Sequence, residues 1–300
     1  MARVEYREMT CKSALNRVEG MPFRWSLNPF RGCVHGCQFC FALPTHRYLD
    51  LGIDDFSRVI FVKTNLPEVL AAELSRRAWK REQVAIGTAT DPYQAAEGRY
   101  RLTRRCLELF TRFRTPVSLV TKGTLVLRDL DVLQDLTRRA GATVCFSVPT
   151  TDHEIWRRTE PGTPPPEQRL KVMKRLVSAG IRAGVLMAPL LPGLSADPDQ
   201  IERTVRAAAD HGAQFIGSNV VHLGPDVRDY YFAFLEREYP ELLAGYRRLY
   251  GTKYAPKPYQ ITVERRVQEA KATAGYGEDH HRRVEPPAEE RQLALPIGAS

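Results

Sequence analysis

The chain has 300 residues, of which 43% are hydrophobic, and it carries a formal net charge of +9. This length suits one large α/β domain with appendages, because single barrels of that class commonly run to ~200–250 residues. The apolar pattern of the sequence excludes a membrane-spanning helix, because no stretch approaches the ~18 uninterrupted apolar residues that a span requires. The most apolar stretch, Val185 to Leu194, is interrupted by Pro189 and Pro192.

Strand-like and helix-like patterns alternate after an N-terminal lead-in of residues 1–27. The predicted strands are Val59–Val62, Gln83–Gly87, Pro116–Val120, Thr143–Val148, Ile181–Met187 and Gln214–Val221. The predicted helices are Leu66–Trp79, Tyr100–Phe113, 126–139, 166–179 and 198–210. Such alternation indicates βαβ units and a parallel sheet, and right-handed crossovers would curl that sheet into a (β/α) barrel. The fold class is therefore predicted as α/β, with a barrel core over residues 28–223.

The last part of the chain is predicted to form a helical extension and a tail. Residues 224–273 contain two helical stretches between Asp226 and Tyr250, separated at Pro240, and a proline-containing linker at 255–258. From residue 274 the sequence is charged and contains proline, so residues 274–300 are predicted to be disordered.

Three cysteines, Cys33, Cys37 and Cys40, lie in one short loop. Structural zinc sites are closed by four ligands, usually in two separated pairs, and the sequence contains no second C-x2-C or H-x3-H pair. His35 could supply a fourth ligand only by folding back on the loop. Because the N-terminus shows no export signal, we expect a cytoplasmic chain with reduced thiols. Three thiolates thus predict a metal centre with one position open for chemistry.

The spacing of these cysteines, with the aromatic Phe39 before the last, resembles the signature of the radical S-adenosylmethionine (SAM) superfamily. The resemblance implies that Cys33, Cys37 and Cys40 bind a [4Fe–4S] cluster and that SAM binds its fourth iron and is cleaved to a 5′-deoxyadenosyl radical. It also implies a partial six-stranded TIM-like barrel and a reducing partner of the flavodoxin or ferredoxin type. The chain is expected to act as a monomer.

Polar residues follow the second strand of this predicted barrel, at the end where barrel enzymes place their active sites. They are Thr90, Asp91, Tyr93 and Gln94. The stretch resembles the Thr-Asp-Pro-Tyr-Gln segment of the spore photoproduct lyase-like branch of the superfamily, which implies a place near the SAM amino group, with Asp91 binding the ammonium. Without the resemblance, a plain Asp-Pro turn is the favoured interpretation.

Four more residues follow later strands and are candidates for binding SAM. Lys122 could meet the cofactor carboxylate or a substrate phosphate, and an exposed lysine at a helix start is the alternative. Ser147 is predicted to point into the barrel because Val144 and Phe146 occupy the opposite face of its strand. Glu160 and Arg169 lie in a segment that resembles Glu-Pro…Arg-Leu of the same branch, and Arg169 could bind the cofactor carboxylate. Helix capping and surface ion pairs are the alternative for both.

The resemblance raises a DNA-repair function, but the sequence departs from the lyase pattern. Spore photoproduct lyases carry a cysteine just after the second barrel strand that returns a hydrogen atom to the substrate radical, whereas this chain has Gly87-Thr-Ala-Thr-Asp91 there. Cys145 could take that catalytic role if it faces the cavity; a buried, inert thiol is the alternative, as it is for Cys11 and Cys106. Reversal of a thymine dimer is therefore not predicted.

The tail carries a short peptide that is similar to the segment with which bacterial replication and repair proteins dock on the sliding clamp. Gln292 would bind at the rim of the clamp pocket, and Leu293, Leu295 and Ile297 would supply apolar contacts. An apolar tail segment that packs on its own domain is the alternative. The peptide points toward DNA. The net charge of +9 suits a polyanionic partner but is also common in arginine-rich proteomes, so alone it favours nucleic acid only weakly. Two hypotheses follow: a radical SAM enzyme, or a non-catalytic iron–sulfur or zinc protein recruited to DNA.

Overall fold

The computed structural model describes residues 4–276. The strands are β1 (Glu5–Met9), β2 (Asn16–Arg17), β3 (Trp25–Leu27), β4 (Phe30–Arg31), β5 (Val59–Lys63), β6 (Val84–Ile86), β7 (Val117–Thr121), β8 (Ala142–Ser147), β9 (Arg182–Leu190) and β10 (Ile216–Val220). The α-helices are α1 (Leu66–Leu74), α2 (Ala95–Tyr100), α3 (Leu102–Arg112), α4 (Leu130–Arg139), α5 (His153–Thr159), α6 (Pro166–Ser178), α7 (Pro198–Asp210), α8 (Pro225–Glu238), α9 (Pro240–Leu249) and α10 (Lys257–Thr273). Short 3-10 helices cover Leu43–Leu49, Ile53–Ser57 and Thr124–Asp129.

The main sheet has the strand order β10-β9-β8-β7-β6-β3-β2. All pairings from β3 to β10 are parallel, and only the short β2 runs antiparallel. Six parallel strands with helical crossovers form the predicted partial barrel, so the α/β fold class is confirmed. The barrel ends at an open edge on β10, because β10 does not pair with β2 in the described part of the chain.

The first strand of the barrel differs from the sequence prediction. Trp25–Leu27 lies within the predicted lead-in, yet it pairs with Val84–Ile86 in the main sheet. Val59–Lys63 forms a strand as predicted, but it belongs to a separate three-stranded sheet with β1 and β4. A three-residue strand leaves almost no periodic signal. The apolar run of β5, in contrast, is equally compatible with either sheet.

Alternation along the strands gives the main sheet two different faces. One face is fully buried against the helices and includes Ile86, Leu119, Val144, Val185 and Ile216. The opposite, inner face carries small or polar side chains, including Ser118, Cys145, Ser147 and Gly184. A parallel barrel buries its large aliphatic side chains under the helices, so the inner face is left for the site.

The C-terminal extension packs against the cysteine loop rather than standing apart from it. Cys37 and Phe39 share an apolar cluster with Val227, Tyr231 and Tyr246, which belong to the extension. Helix α10 lies along α7 and β10. The predicted disordered tail begins at residue 274, but all except its first three residues lie outside the described part. No helix within residues 4–276 is long and apolar enough to cross a membrane.

Candidate active site

The cysteine loop is held in place by backbone hydrogen bonds to distant parts of the chain. The N–H of Cys33 donates to the carbonyl of Phe56 at 2.9 Å, and that of Gln38 donates to the carbonyl of Thr159 at 2.9 Å. The N–H of Gly162 donates to the carbonyl of His35 at 3.0 Å. The chain leaves the main sheet at the end of β3 and reaches the loop after the short β4, so the loop lies near the carboxyl ends of the parallel strands, where barrel active sites gather.

Two glycines allow the loop to approach its neighbours closely. Gly32 has a φ of +83°, and a β-carbon there would lie 2.7 Å from the carbonyl oxygen of Val59. A β-carbon on Gly162 would lie 2.3 Å from the carbonyl oxygen of Val34. Both distances are shorter than real contacts, so only glycine fits either position without moving the backbone.

The three thiols of the loop are shielded from solvent. Cys33 and Cys37 are each 8% exposed and Cys40 is partly buried. Burial raises the pKa of Cys33 to about 12, and it raises the pKa values of Cys37 and Cys40 as well. Desolvation disfavours an isolated thiolate, so the charged form needs bound cations. Thiolates bound to iron gain that compensation.

The donor set fits an iron–sulfur cluster better than a single zinc ion. Within residues 4–276 no group of three or more His, Cys, Asp or Glu side chains is arranged to hold one metal ion. A tetrahedral zinc site would bring its ligands to about 2.0–2.3 Å from a common point, whereas each thiolate of a cluster binds a different iron. His35 is the residue that could have supplied a fourth zinc ligand. Its Nδ1 lies 3.4 Å from Oδ2 of Asp91, so this nitrogen contacts a carboxylate, and burial lowers the pKa of the ring.

Asp91 joins the ends of two strands at the mouth of the barrel. Its Oδ1 accepts hydrogen bonds from the N–H of Tyr93 at 2.8 Å and from Oγ1 of Thr121 at 2.7 Å. Its Oδ2 accepts from the N–H of Lys122 at 2.6 Å. The carboxylate therefore fixes the loop after β6 to the loop after β7, and much of its acceptor capacity is already used.

The other members of the loop after β6 support the cysteine loop. Gln94 is fully buried: Nε2 donates to the carbonyl of Gly32 at 3.0 Å, and Oε1 accepts from the N–H of Val34 at 3.1 Å. Oγ1 of Thr90 donates to the carbonyl of Phe30 at 3.2 Å. Gln94 and Thr90 thus contact backbone groups of the cysteine loop and of the residues just before it.

Two residues of this region differ from what the sequence indicated. Tyr93 is buried, and its hydroxyl donates to Oδ2 of Asp129 at 3.1 Å, so it faces a buried ionic group rather than the barrel mouth. Asn28 was missed by sequence reasoning. Its Oδ1 accepts from the N–H groups of Ala89 and Thr90, at 2.9 and 3.4 Å. The sequence offered no clear signal for Asn28, because the three-residue strand that precedes it was not predicted.

Lys122, Ser147 and Glu160 converge at the mouth of the barrel. Nζ of Lys122 lies 2.6 Å from Oε1 of Glu160 and 2.5 Å from Oγ of Ser147. The same ammonium lies 5.8 Å from the ring centroid of Phe39, within cation–π range. The lysine side chain retains 13% exposure, whereas that of Glu160 is 2% exposed. These contacts bring three predicted site residues beside the cysteine loop.

Arg169 completes this group from the buried side. Nη2 lies 2.7 Å from Oε2 of Glu160, and Nη1 donates to the carbonyl of Ser147 at 2.8 Å. Nε donates to the carbonyl of Pro164 at 2.8 Å. Burial alone would raise the pKa of Glu160, but the charges of Arg169 and Lys122 outweigh it and hold this pKa below its ordinary value. The carboxylate is therefore ionised at neutral pH.

Cys145 lies on the inner face of the barrel, one pleat below Ser147. It is 8% exposed, and its sulfur lies 3.9 Å from Oγ of Ser118. Burial raises its pKa to about 11, so it is a neutral thiol at neutral pH. An uncharged S–H group on this face has the right chemistry to donate a hydrogen atom.

Comparisons with known proteins agree with this geometry. Residues 27–208 match the sequence profile of the Radical SAM superfamily. The chain is 38% identical over 302 residues to the uncharacterized protein Rv2578c of Mycobacterium tuberculosis, with 99% of this chain and 88% of that protein covered. It is 28% identical over 207 residues to the uncharacterized protein ORF301 of Acidianus two-tailed virus, with 66% and 67% covered.

Among solved structures, the chain resembles a spore photoproduct lyase mutant with bound AdoMet and dinucleoside spore photoproduct. The TM-score is 0.70 at 13% sequence identity, and the alignment covers 89% of this chain and 79% of the lyase. This likeness establishes the fold of the barrel.

Proposed function

The chain belongs to the radical SAM superfamily, and on that premise we propose that it removes a hydrogen atom from a nucleic-acid substrate. As a member of this superfamily it is an enzyme whose cofactors are a [4Fe–4S] cluster and SAM, and it needs a reductant. The family therefore supports the enzyme hypothesis over the non-catalytic one. When bound and reduced, these cofactors supply a 5′-deoxyadenosyl radical. The observation that carries the proposal is a set of three cysteines, two buried and one partly buried, beside a charged network at the mouth of the barrel.

Within this proposal, Cys33, Cys37 and Cys40 hold the cluster and the surrounding apolar residues exclude water. Phe39 and Cys37 pack against side chains of the C-terminal extension. Gln94 and Thr90 bind backbone groups around the cysteines and so set the shape of the loop. A dry, rigid loop suits a radical reaction, because water and loose geometry both favour side reactions.

Lys122 is the residue that we assign to the carboxylate of SAM, because it keeps partial exposure at the mouth while its ammonium is already oriented. Ser147 and Glu160 hold that ammonium in place. Arg169 has no exposed surface, so it positions Glu160 instead of meeting the cofactor. The role of Asp91 in binding the SAM ammonium stays a prediction, since its oxygens already accept three hydrogen bonds within the protein.

A nucleic-acid substrate is supported by the net charge of +9 and by the fold that the chain shares with a lyase bound to a dinucleoside photoproduct. The lyase resemblance does not extend to the hydrogen donor, because residues Gly87 to Asp91 contain no thiol. We assign that role to Cys145, which is on the inner face of the barrel. The thiyl radical left on Cys145 would take one electron from the reductant and one proton from solvent, which restores the thiol. The reaction would then differ from thymine-dimer reversal in the position of its donor.

Docking on a bacterial sliding clamp is a second part of the proposal. Gln292, Leu293, Leu295 and Ile297, which would carry it, lie outside the described residues. A peptide covering 288–300 should bind purified clamp, and replacing Leu295 by Ala should abolish binding. Binding that is unaffected by this change would contradict the assignment.

The substrate assignment can be tested by isotope transfer. Reconstituted protein is incubated anaerobically with SAM, a reductant and DNA or RNA deuterated on the sugar and on the thymine or uracil. We expect deuterium in the released 5′-deoxyadenosine, because the radical would take it directly from the nucleic acid. The Cys37→Ala variant is the control and should release no 5′-deoxyadenosine. Wild-type product that remains free of deuterium with every nucleic acid would contradict the proposed substrate.

A further inference from the structure

Three aromatic side chains from distant parts of the chain form a row at the surface, which we call the aromatic rim; its two ends are exposed and its middle member is half-buried. It consists of Phe41, His222 and Tyr254. The ring centroids of Phe41 and His222 are 5.7 Å apart, and those of His222 and Tyr254 are 5.8 Å apart. Phe41 is 53% exposed and Tyr254 is 56% exposed. Large rings grouped together on a surface commonly mark a binding site.

The aromatic rim lies at the mouth of the barrel. Phe41 directly follows the cluster ligand Cys40, and His222 comes two residues after the end of β10 at Val220. The rim therefore occupies the same end of the sheet as the proposed site. A substrate that contacts these rings would also lie close to the cysteine loop.

The rings are held rigidly before any ligand binds. His222 and Tyr254 are partners in an antiparallel bridge, and the N–H of Leu223 donates to the carbonyl of Lys253 at 2.8 Å. Nε2 of Gln260 donates to the carbonyl of Ala255 at 2.6 Å, which fixes the chain after Tyr254. A preorganised surface loses little conformational entropy on binding.

The surroundings of the rim are basic and polar. Nζ of Lys253 lies 5.3 Å from the ring centroid of Tyr254. Burial and the charge of Lys253 lower the pKa of His222, so its ring is neutral and is suited to stacking.

A groove of about 440 Å³ lies between β10 and α10, along the open edge of the barrel. Its polar lining carries two cations, Lys257 and Arg265, and one carboxylate, Glu264, which accepts hydrogen bonds from Ser218 at 2.9 Å and Gln268 at 2.6 Å. The amides of Asn219 and Gln260 complete this lining.

The rim and this groove are joined through the chain, because His222 follows the lining segment of β10 and Lys257 comes three residues after Tyr254. We infer that a single-stranded segment of nucleic acid binds here, with its bases stacked on the aromatic rim and its backbone in the groove. Aromatic faces beside cations and amides are the combination that binds single strands without sequence preference. This inference rests on the proposed nucleic-acid substrate. It adds that the bound nucleic acid is single-stranded and names the surface that binds it.

The inference is tested by fluorescence anisotropy with labelled single-stranded oligonucleotides of about 12 nucleotides, a length within the usual site sizes. Cluster-loaded protein is titrated under anaerobic conditions with DNA and RNA in separate arms. Tyr254→Ala and His222→Ala should each weaken binding about tenfold, as expected for the loss of one stacking ring. Tyr254→Phe keeps the ring and should bind like wild type.

Tyr48→Ala is the matched control, because Tyr48 is 85% exposed and is not part of the rim. Its binding should equal that of wild type. Wild-type protein that binds neither oligonucleotide, or a Tyr254→Ala variant that binds as tightly as wild type, would overturn the inference.

The inference and the proposed function can fail separately. If the loss of a ring weakens oligonucleotide binding but no deuterium is transferred from nucleic acid, binding at the aromatic rim is supported and the proposed substrate is contradicted. If Tyr254→Ala binds nucleic acid as tightly as wild type and deuterium is still transferred from it, the proposed substrate is supported and binding at the aromatic rim is contradicted.

Discussion

Nζ of Lys122 lies 2.6 Å from Oε1 of Glu160, although the two residues are 38 positions apart in the sequence. The lysine follows β7 and the glutamate follows α5, so their contact joins two separate loops at the mouth of the barrel. Arg169 pairs with the second oxygen of the same carboxylate. One buried anion thus orients two cations, of which Lys122 alone reaches the surface of the site.

Replacing Arg169 by Met should destabilise the protein by about 3–5 kcal/mol, because it removes one partner of a buried ion pair. The negative charge of the buried Glu160 is then only partly neutralised. Urea denaturation measures this change in the free energy of unfolding. Arg206→Met is the control: Arg206 pairs with Glu202 on an exposed helix face, and such pairs contribute about 0.5 kcal/mol or less. Similar losses in the two variants would contradict the assignment.

Glu160 predicts a specific pH dependence of stability. Its folded-state pKa is lower than the ordinary value of 4.5. The ionised carboxylate therefore stabilises the fold above that ordinary value, and this stabilisation is lost as the pH falls through the folded-state pKa. Glu160→Gln should be less stable than wild type at neutral pH, and its stability should fall less on acidification. Urea midpoints measured at several pH values check this; parallel curves for the two proteins would refute it.

Gly162→Ala should disturb the cysteine loop, because the added β-carbon would lie 2.3 Å from the carbonyl oxygen of Val34. We expect a lower iron content after anaerobic reconstitution, measured by metal analysis. Gly245→Ala is the control, since a β-carbon at this position in α9 meets nothing within 4 Å. That variant should keep its iron and gain about 0.5–1 kcal/mol of stability. Full iron loading of Gly162→Ala would contradict the role of this close approach.

Cys145→Ala should separate cofactor cleavage from turnover of substrate. The thiol lies on the inner face and is not one of the three cysteines assigned to the cluster, so 5′-deoxyadenosine should still form. The final product should fall by about tenfold or more, which corresponds to a barrier raised by about 1.4 kcal/mol or more. Mass spectrometry of both products from one reaction provides the measurement. A Cys145→Ala enzyme with undiminished product would show that the thiol is an inert part of the barrel.

Sequence reasoning located the elements whose signal is local. The alternation in the predicted strand Thr143–Val148, observed as Ala142–Ser147, indicated which side chains enter the barrel, and the short cysteine spacing indicated the loop to which the metal centre is assigned. The packing of the C-terminal extension on Cys37 and Phe39 was not predicted, because it depends on contacts between residues almost 200 positions apart. The support that Gln94 gives to the loop was missed for the same reason: its partners, Gly32 and Val34, are about 60 residues away.

The most direct test of this account is anaerobic reconstitution followed by metal analysis and reduction in the presence of SAM. The account predicts about four irons and four sulfides per chain, with release of 5′-deoxyadenosine by wild type and none by Cys37→Ala. A colourless protein that holds one zinc and no iron, or a fully loaded protein that releases no 5′-deoxyadenosine, would contradict it.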